Sequence, residues 1–522
     1  MKMMVIGLDG ANWNLLSPWI EQGKLPNLKY IRDNGVWSDM ESCLPPVTSP
    51  NWKCYSTGKN PGKLGVFWWE KVDFAQRTIT IPRSSDFDGL EIWNYLGMNN
   101  IKVGIINTPT TYPPKMVNGF LISGGPDAMD YDFTYPKELE SKLKNYGYRI
   151  HAPSIDLIKT DSEKVVEEIY DLIDLRFQVA YKLIEEYQPD FLQLTIYYTN
   201  VLQHHFWDED YTLKAWKIID ACVEELVSRL KDTIFIFMSD HGSNKINYKF
   251  SINAWLEEEG YLSIKKKHFG HVLSRMGLSR DNAVRILTRL GLKDFFKKRL
   301  SESARNFLPT SSGAVRSEAK ANIIDWEKTK VLASGQGPIY INVAPNSREY
   351  ETIKDELIHK LTCLKADGVH NVAKNIFSKE EIYAGKYLGQ GPDLIIDQND
   401  GIHITPSIGF KSVFERPDKW KAENKKTGIF MAYGPNISKG AIDGRISIVD
   451  VTPTILHIYG VPIPSDMDGR VLKEIFEADS ELCHREIKYS QTESSSNGDS
   501  DLRRIKNENE EVAKRLKALG YL

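Results

Sequence analysis

Six short runs of branched and aromatic residues constrain this chain more than any other feature: Val5–Leu8, Val103–Ile106, Phe191–Ile196, Ile234–Phe237, Leu394–Ile396 and Ile429–Ala432. Amphipathic stretches separate them. Short, largely apolar runs that alternate with amphipathic stretches predict an α/β fold around a mostly parallel sheet. In such sheets, ligand-binding groups gather beyond the carboxyl ends of the strands. Asp9, Asn200 and Asp240 all fall at or just past such ends, which predicts a site assembled from distant parts of the sequence.

At 522 residues the chain exceeds what one core usually organises. From 247 to 325 the pattern turns helical, and Lys265–Lys267, Arg275, Arg280, Arg285, Arg289, Lys297–Arg299 and Arg305 meet few acids. We read 247–325 as an inserted, basic helical cap within a discontinuous catalytic domain, 1–246 and 326–480. Residues 481–522 read as a flexible linker, polar through Thr492–Ser500, followed by a short charged helix. The cap is either a solvated helical face or a lid that attracts a polyanionic substrate or touches an anionic membrane surface transiently.

The net charge of −3 gives no general pull toward nucleic acid, so no nucleic acid polymer is expected as a partner. Ile234–Met238 is far too short to span a bilayer, and the opening residues run directly into a strand; the expectation is an unanchored, cytoplasmic protein. Five cysteines without CxxC spacing indicate neither a disulfide framework nor a cysteine zinc site.

Three segments carry chemistry. Asp9 follows an apolar strand and precedes Gly10, which permits a sharp turn; alone, an aspartate there is as well explained as a turn or helix cap. Asp240-His241 follows another apolar strand, with Gly242 allowing the turn that lets both side chains reach one ion. Carboxylate and imidazole together suit zinc or manganese, and such an ion lowers the pKa of a bound hydroxyl. Thr48 or Ser49, in a Pro-rich turn before a helix, could supply that hydroxyl, with Asn51 offering its amide to a phosphate oxygen; the plain alternative is an ordinary helix cap.

Gly7–Gly10, Thr48–Asn51 and Ser239–Gly242 resemble the metal and nucleophile motifs of the alkaline phosphatase superfamily, in its type I phosphodiesterase and nucleotide pyrophosphatase branch. The resemblance is closest to the microbial predicted phosphohydrolase/phosphomutase group. Ala254–Leu262, Gly337–Asn342, Gly391–Ile395, Ile448–Thr454 and Asp468–Arg470 extend it along most of the chain. It implies an alkaline-phosphatase-like three-layer sandwich and a two-metal site, with one ion on Asp9, the nucleophile Thr48, Asp240 and His241. The second ion would take an aspartate, a histidine four residues later and a distant histidine before a Gly-Ile-Phe strand. Here Asn200, His204 and Asn424 stand at those positions.

Two of those three are neutral amides, which bring no charge, so the second ion is doubtful. His205 and His403 are candidate replacements. Single-metal members of the superfamily, such as phosphoethanolamine and phosphoglycerol transferases, resemble this ligand set. The expectation is metal-dependent phosphoryl or phosphodiester transfer through a covalent Thr48 intermediate. One zinc or manganese ion would be bound, with Asn200 and Asn424 on the substrate and His204 as acid or base. The donor would be a nucleotide-linked, lipid-linked or glycan phosphate. A two-metal hydrolase and a catalytically silent binding protein remain open alternatives.

Overall fold

The computed structural model describes residues 1–207, 209–265, 317–408, 412–417, 419–491, 511–516 and 519. Its centre is a sheet of ten strands among the described residues: β1 (Met3–Leu8), β2 (Val36–Glu41), β3 (Val103–Thr108), β4 (Gly119–Ser123), β5 (Thr134–Tyr135), β6 (Phe191–Ile196), β7 (Ile234–Met238), β8 (Thr427–Tyr433), β9 (Gly440–Ala441) and β10 (Ile446–Ser447). The order is β9-β2-β8-β7-β1-β6-β3-β4-β5, with β10 also on β2. The run β7-β1-β6-β3-β4 is parallel throughout.

Alternation along these strands divides the core in two. Met4, Ile6 and Leu8 of β1, with Leu192 and Leu194 of β6, pack beneath the long helices Ser162–Tyr187 and Asp210–Arg229. Met3 and Val5, with Val103 and Ile105, face the helices Ile92–Met98 and Val451–Tyr459 on the other side. Both faces are therefore covered, which gives three layers and accounts for the predominantly apolar runs. Among the described residues no helix is long and apolar enough to cross a membrane.

Two of the six runs depart from the parallel expectation. Ile429–Ala432 lies in β8, which pairs antiparallel with both β2 and β7. Leu394–Ile396 belongs to a separate antiparallel sheet with Pro338–Ile341 and Ala373–Ser378. An apolar run reports burial on both faces and is silent about strand direction.

The beginning of the expected cap is not helical cap at all. Tyr248–Ser251 is a strand between Ile402–Thr405 and Phe414–Glu415, and Ile252–Glu258 packs with them in a third hydrophobic cluster. Residues 266–316, which hold most of the basic stretch, lie outside the described residues, as does 492–510. Past position 480 the chain is still bound to the fold: Leu482 is in the core, and Tyr489–Ser490 pairs with Ile463–Pro464. The helical segment 511–516 seats Val512 and Leu516 in the first cluster, while Arg515 donates to the Pro126 and Ala128 carbonyls at 2.8 and 2.6 Å.

One buried ion pair ties α1 (Thr48–Thr57) to the start of the helix Ile92–Met98 on the sheet's second face. Lys53 Nζ lies 2.6 Å from Glu91 Oε1, which also accepts from Ser56 Oγ at 3.1 Å. Burial pushes Lys53 below its ordinary pKa, and Glu91 opposes that shift. Glu91→Ala is expected to destabilise the fold by about 3–5 kcal/mol, because it strands a buried ammonium. Denaturant titration should show the double replacement Lys53→Met/Glu91→Leu losing much less.

Candidate active site

Three loops meet at the carboxyl ends of β1, β6 and β7. Asp9 leaves β1, Asp240 and His241 leave β7, and α2 (Tyr198–Phe206) starts two residues after β6. The loops are stitched together: Gly10 N–H donates to Asp240 Oδ1 (3.3 Å), Ser239 Oγ to the Ala11 carbonyl (3.0 Å) and Thr199 Oγ1 to the Asp9 carbonyl (2.7 Å). Gly10 is required twice over. Its φ is +71°, and a Cβ there would stand 2.5 Å from Asn200 Oδ1.

Thr48 opens α1, and Ser49 breaks the helical path with φ −105° and ψ 117°. Thr48 Oγ1 reaches 3.3 Å from His241 Nε2. Asp240 Oδ2 and Asp9 Oδ1 lie 3.2 and 3.7 Å from the same nitrogen, and the ligand atoms of Asp9, Asp240 and His241 all fall within 4.8 Å of one another. Sequence separations of about 200 residues are thus closed into one cluster with 0% exposure.

The donor set fits a divalent cation. His241 Nδ1 donates to the Gly242 carbonyl (2.9 Å), so Nε2 presents its lone pair to the carboxylates. Burial pushes His241 down to about 3, so the ring is neutral at ordinary pH and cannot serve as a donor there. Asp9 Oδ1 and Asp240 Oδ2 have no hydrogen-bond donor among the described residues. Burial pushes Asp9 up to about 8, against hydrogen bonds from Trp52 and Asn200; burial and then the Asp9 charge push Asp240 up as well. Converging acceptors without a donor are what a cation satisfies, and its charge favours both ionised carboxylates.

The positions expected for a second ion's ligands hold a different chemistry. Asn200 Nδ2 donates to Asn424 Oδ1 at 3.4 Å, and Asn424 Nδ2 is buried with no acceptor among the described residues. His204 Nδ1 donates to the Ala422 carbonyl (2.8 Å), and its ring stacks on Trp420 with centroids 4.0 Å apart. Burial pushes His204 down to about 4, so it too is neutral. His205 Nδ1 instead contacts the Lys419 carbonyl and His403 pairs with Glu423, so neither replacement candidate joins the carboxylate cluster.

Asn51 requires a correction. Its Nδ2 donates to the carbonyls of Cys43, Pro45 and Val47 at 3.2, 3.0 and 2.9 Å, and its Oδ1 accepts from Cys43 N–H at 2.9 Å. Both ends of the amide are committed to the loop that delivers Thr48, leaving none to offer a phosphate oxygen.

Trp52 was not foreseen. Its Nε1 donates to Asp9 Oδ2 at 3.0 Å, and its ring fills the space above Gly7, where a Cβ would come within 2.4 Å of Cη2. The signal was available: Trp52 is one helical turn past Thr48, and Gly7 interrupts an otherwise bulky strand.

Residues 3–424 match one family along most of their length. The chain belongs to the type I phosphodiesterase / nucleotide pyrophosphatase family. This is the branch of the alkaline phosphatase superfamily that the motifs resemble, and it makes the protein an enzyme of that superfamily. No curated protein matches the chain. Among solved structures, phosphonoacetate hydrolase from Sinorhizobium meliloti in complex with phosphonoformate is similar at 12% identity and a TM-score of 0.56, covering 88% of this chain and 95% of that one. The same enzyme in complex with phosphonoacetate gives a TM-score of 0.57 at the same identity and coverage. At that identity the likeness is one of fold, and it matches the three-layer architecture described above.

Proposed function

We propose that this family member is a cytoplasmic, one-metal enzyme that moves a substituted phosphoryl group from a phosphate ester donor through a covalent Thr48 intermediate. The observation that carries the reading is the asymmetry of the site. Asp9 Oδ1 and Asp240 Oδ2, which have no donor among the described residues, converge with His241 Nε2 beside Thr48 Oγ1, whereas the neighbouring position holds the neutral amides of Asn200 and Asn424. Asp9, Thr48, Asp240 and His241 would hold one zinc or manganese ion, which supplies the positive charge that favours an ionised hydroxyl.

Thr48 Oγ1 attacks phosphorus; the Thr48 Oγ1–P bond forms as the bond to the leaving oxygen breaks, and that oxygen departs carrying the proton that Thr48 gives up. Asn424 Nδ2, buried and without an acceptor among the described residues, donates to a phosphoryl or leaving-group oxygen, with Asn200 orienting it. His204, neutral and held in one tautomer by the Ala422 carbonyl, takes the proton of the incoming alcohol or water, whose oxygen then displaces Thr48. Nucleotide-linked and lipid- or glycan-linked phosphates are the candidate donors.

The test is intact-mass and peptide mass spectrometry of the manganese- or zinc-loaded protein mixed with nucleotide-linked donors, alongside metal analysis. The expected result is a phosphoryl increment on the peptide holding Thr48, with one ion per chain. Two ions per chain would replace this reading with two-metal hydrolysis. No increment and no turnover with any metal would reduce the chain to a binding protein.

A further inference from the structure

We propose that Glu423 is a positioning residue that fixes both His204 and Asn424, the two groups standing where a second ion's ligands are expected; this rests on the one-metal reading above. Glu423 is completely buried in the strand Ala422–Lys425, which pairs antiparallel with Gly242–Lys245 in register Ser243 to Asn424. One carboxylate oxygen accepts from Gln336 Nε2 at 2.6 Å and from Asn424 N–H at 2.8 Å. The other accepts from Trp420 Nε1 at 3.1 Å and meets His403 Nδ1. A carboxylate offers about four acceptor positions and no donor, and all four are used.

This arrangement reaches the site along two lines. Through its own neighbour's N–H it sets the backbone of Asn424, whose side chain meets Asn200. Through Trp420 it sets the indole on which the His204 ring lies, nearly parallel at 19° and 4.0 Å. The remaining support comes from across the fold, since Gln336 Oε1 accepts from Trp68 Nε1 at 3.0 Å. Burial pushes the carboxyl up, but the charge and hydrogen bond of His403, with the Asn424 N–H, hold it well below the usual carboxylate range. A glutamine at 423 has nearly the same shape but would turn an N–H₂ toward donors, so at least one of the four partners must move.

The test uses the full-length, metal-replete protein with Glu423→Gln, Trp420→Phe and wild type. Three readouts are compared: crystal structures, metal content, and kinetics with bis(4-nitrophenyl) phosphate. In Glu423→Gln the His204 ring or the Asn424 amide should be displaced by about 1 Å, with kcat down roughly 100-fold, KM little changed and metal content as in wild type. Trp420→Phe keeps an aromatic face but loses the tether, so it should show a smaller fall in kcat; it also decides the matter if Glu423→Gln does not fold. His204 and Asn424 unmoved in the crystal structures, or kcat unchanged with only the melting temperature lowered, would overturn the assignment. If wild type itself fails to cleave the diester, the functional reading falls, while the crystallographic comparison still decides what Glu423 holds in place.

Discussion

Thr48→Ala is expected to lower kcat/KM for phosphate diesters by at least about 10³-fold, because it deletes the hydroxyl that lies 3.3 Å from His241 Nε2 in the Asp9, Asp240 and His241 cluster. That corresponds to about 4 kcal/mol of lost transition-state stabilisation. The fold should be little affected, since the replacement removes a hydroxyl and a methyl group from the first residue of α1 and leaves the loop bonds made by Asn51 intact. Thr48→Ser keeps the hydroxyl and should retain far more activity than alanine. Steady-state kinetics on the three proteins at matched metal content provides the check. Equal rates for Thr48→Ala and wild type would mean that water attacks phosphorus directly and that no covalent intermediate exists.

The second large effect concerns metal stoichiometry. Asn200→Asp combined with Asn424→His restores a carboxylate and an imidazole beside His204, and the double variant is expected to bind two zinc or manganese ions per chain where wild type binds one. Asn200→Asp changes no heavy-atom shape, and residue 200 already lies against Gly10 and Asn424. With the second ion in place, hydrolysis should gain on transfer, because two ions can stabilise the leaving oxygen and activate water together. Without metal, the same change adds a third carboxylate to a fully buried pair and should cost roughly 3–5 kcal/mol of stability. Elemental analysis and denaturant titration with and without metal read both effects. A wild-type protein that already carries two ions would remove the reason for the experiment and the one-metal reading with it.

Much of the fold could be read directly. The runs that became β1, β3, β6 and β7 are apolar because helices cover both faces, and burial of that kind is written in composition. Strand direction is not, which is why Leu394–Ile396 and Ile429–Ala432 entered antiparallel pairings. In the site, Asp9, Thr48, Asp240 and His241 were recognisable from short motifs because each sits at a strand exit or helix start, where local sequence dictates the turn. Asn51 was misassigned for the opposite reason: an amide is equally able to bind a phosphate or three carbonyls, and only the path of residues 43–47 decides between them. Glu423, Trp420 and Gln336 carried no motif, since their relationship is made by packing between segments some 90 residues apart in sequence.

Sequence alone was enough to establish a two-sided, mostly parallel α/β sheet with two carboxylates and an imidazole at strand exits and a hydroxyl at a helix start, because periodicity and local turn chemistry are properties of neighbouring residues. It also places amides at positions 200 and 424, where the resemblance implies a carboxylate and an imidazole. Only the tertiary structure decided which acceptors are left without donors, what the Asn51 amide is spent on and what supports His204. Those depend on which polar atoms meet once water is excluded, and a buried group's partners are chosen by the whole fold.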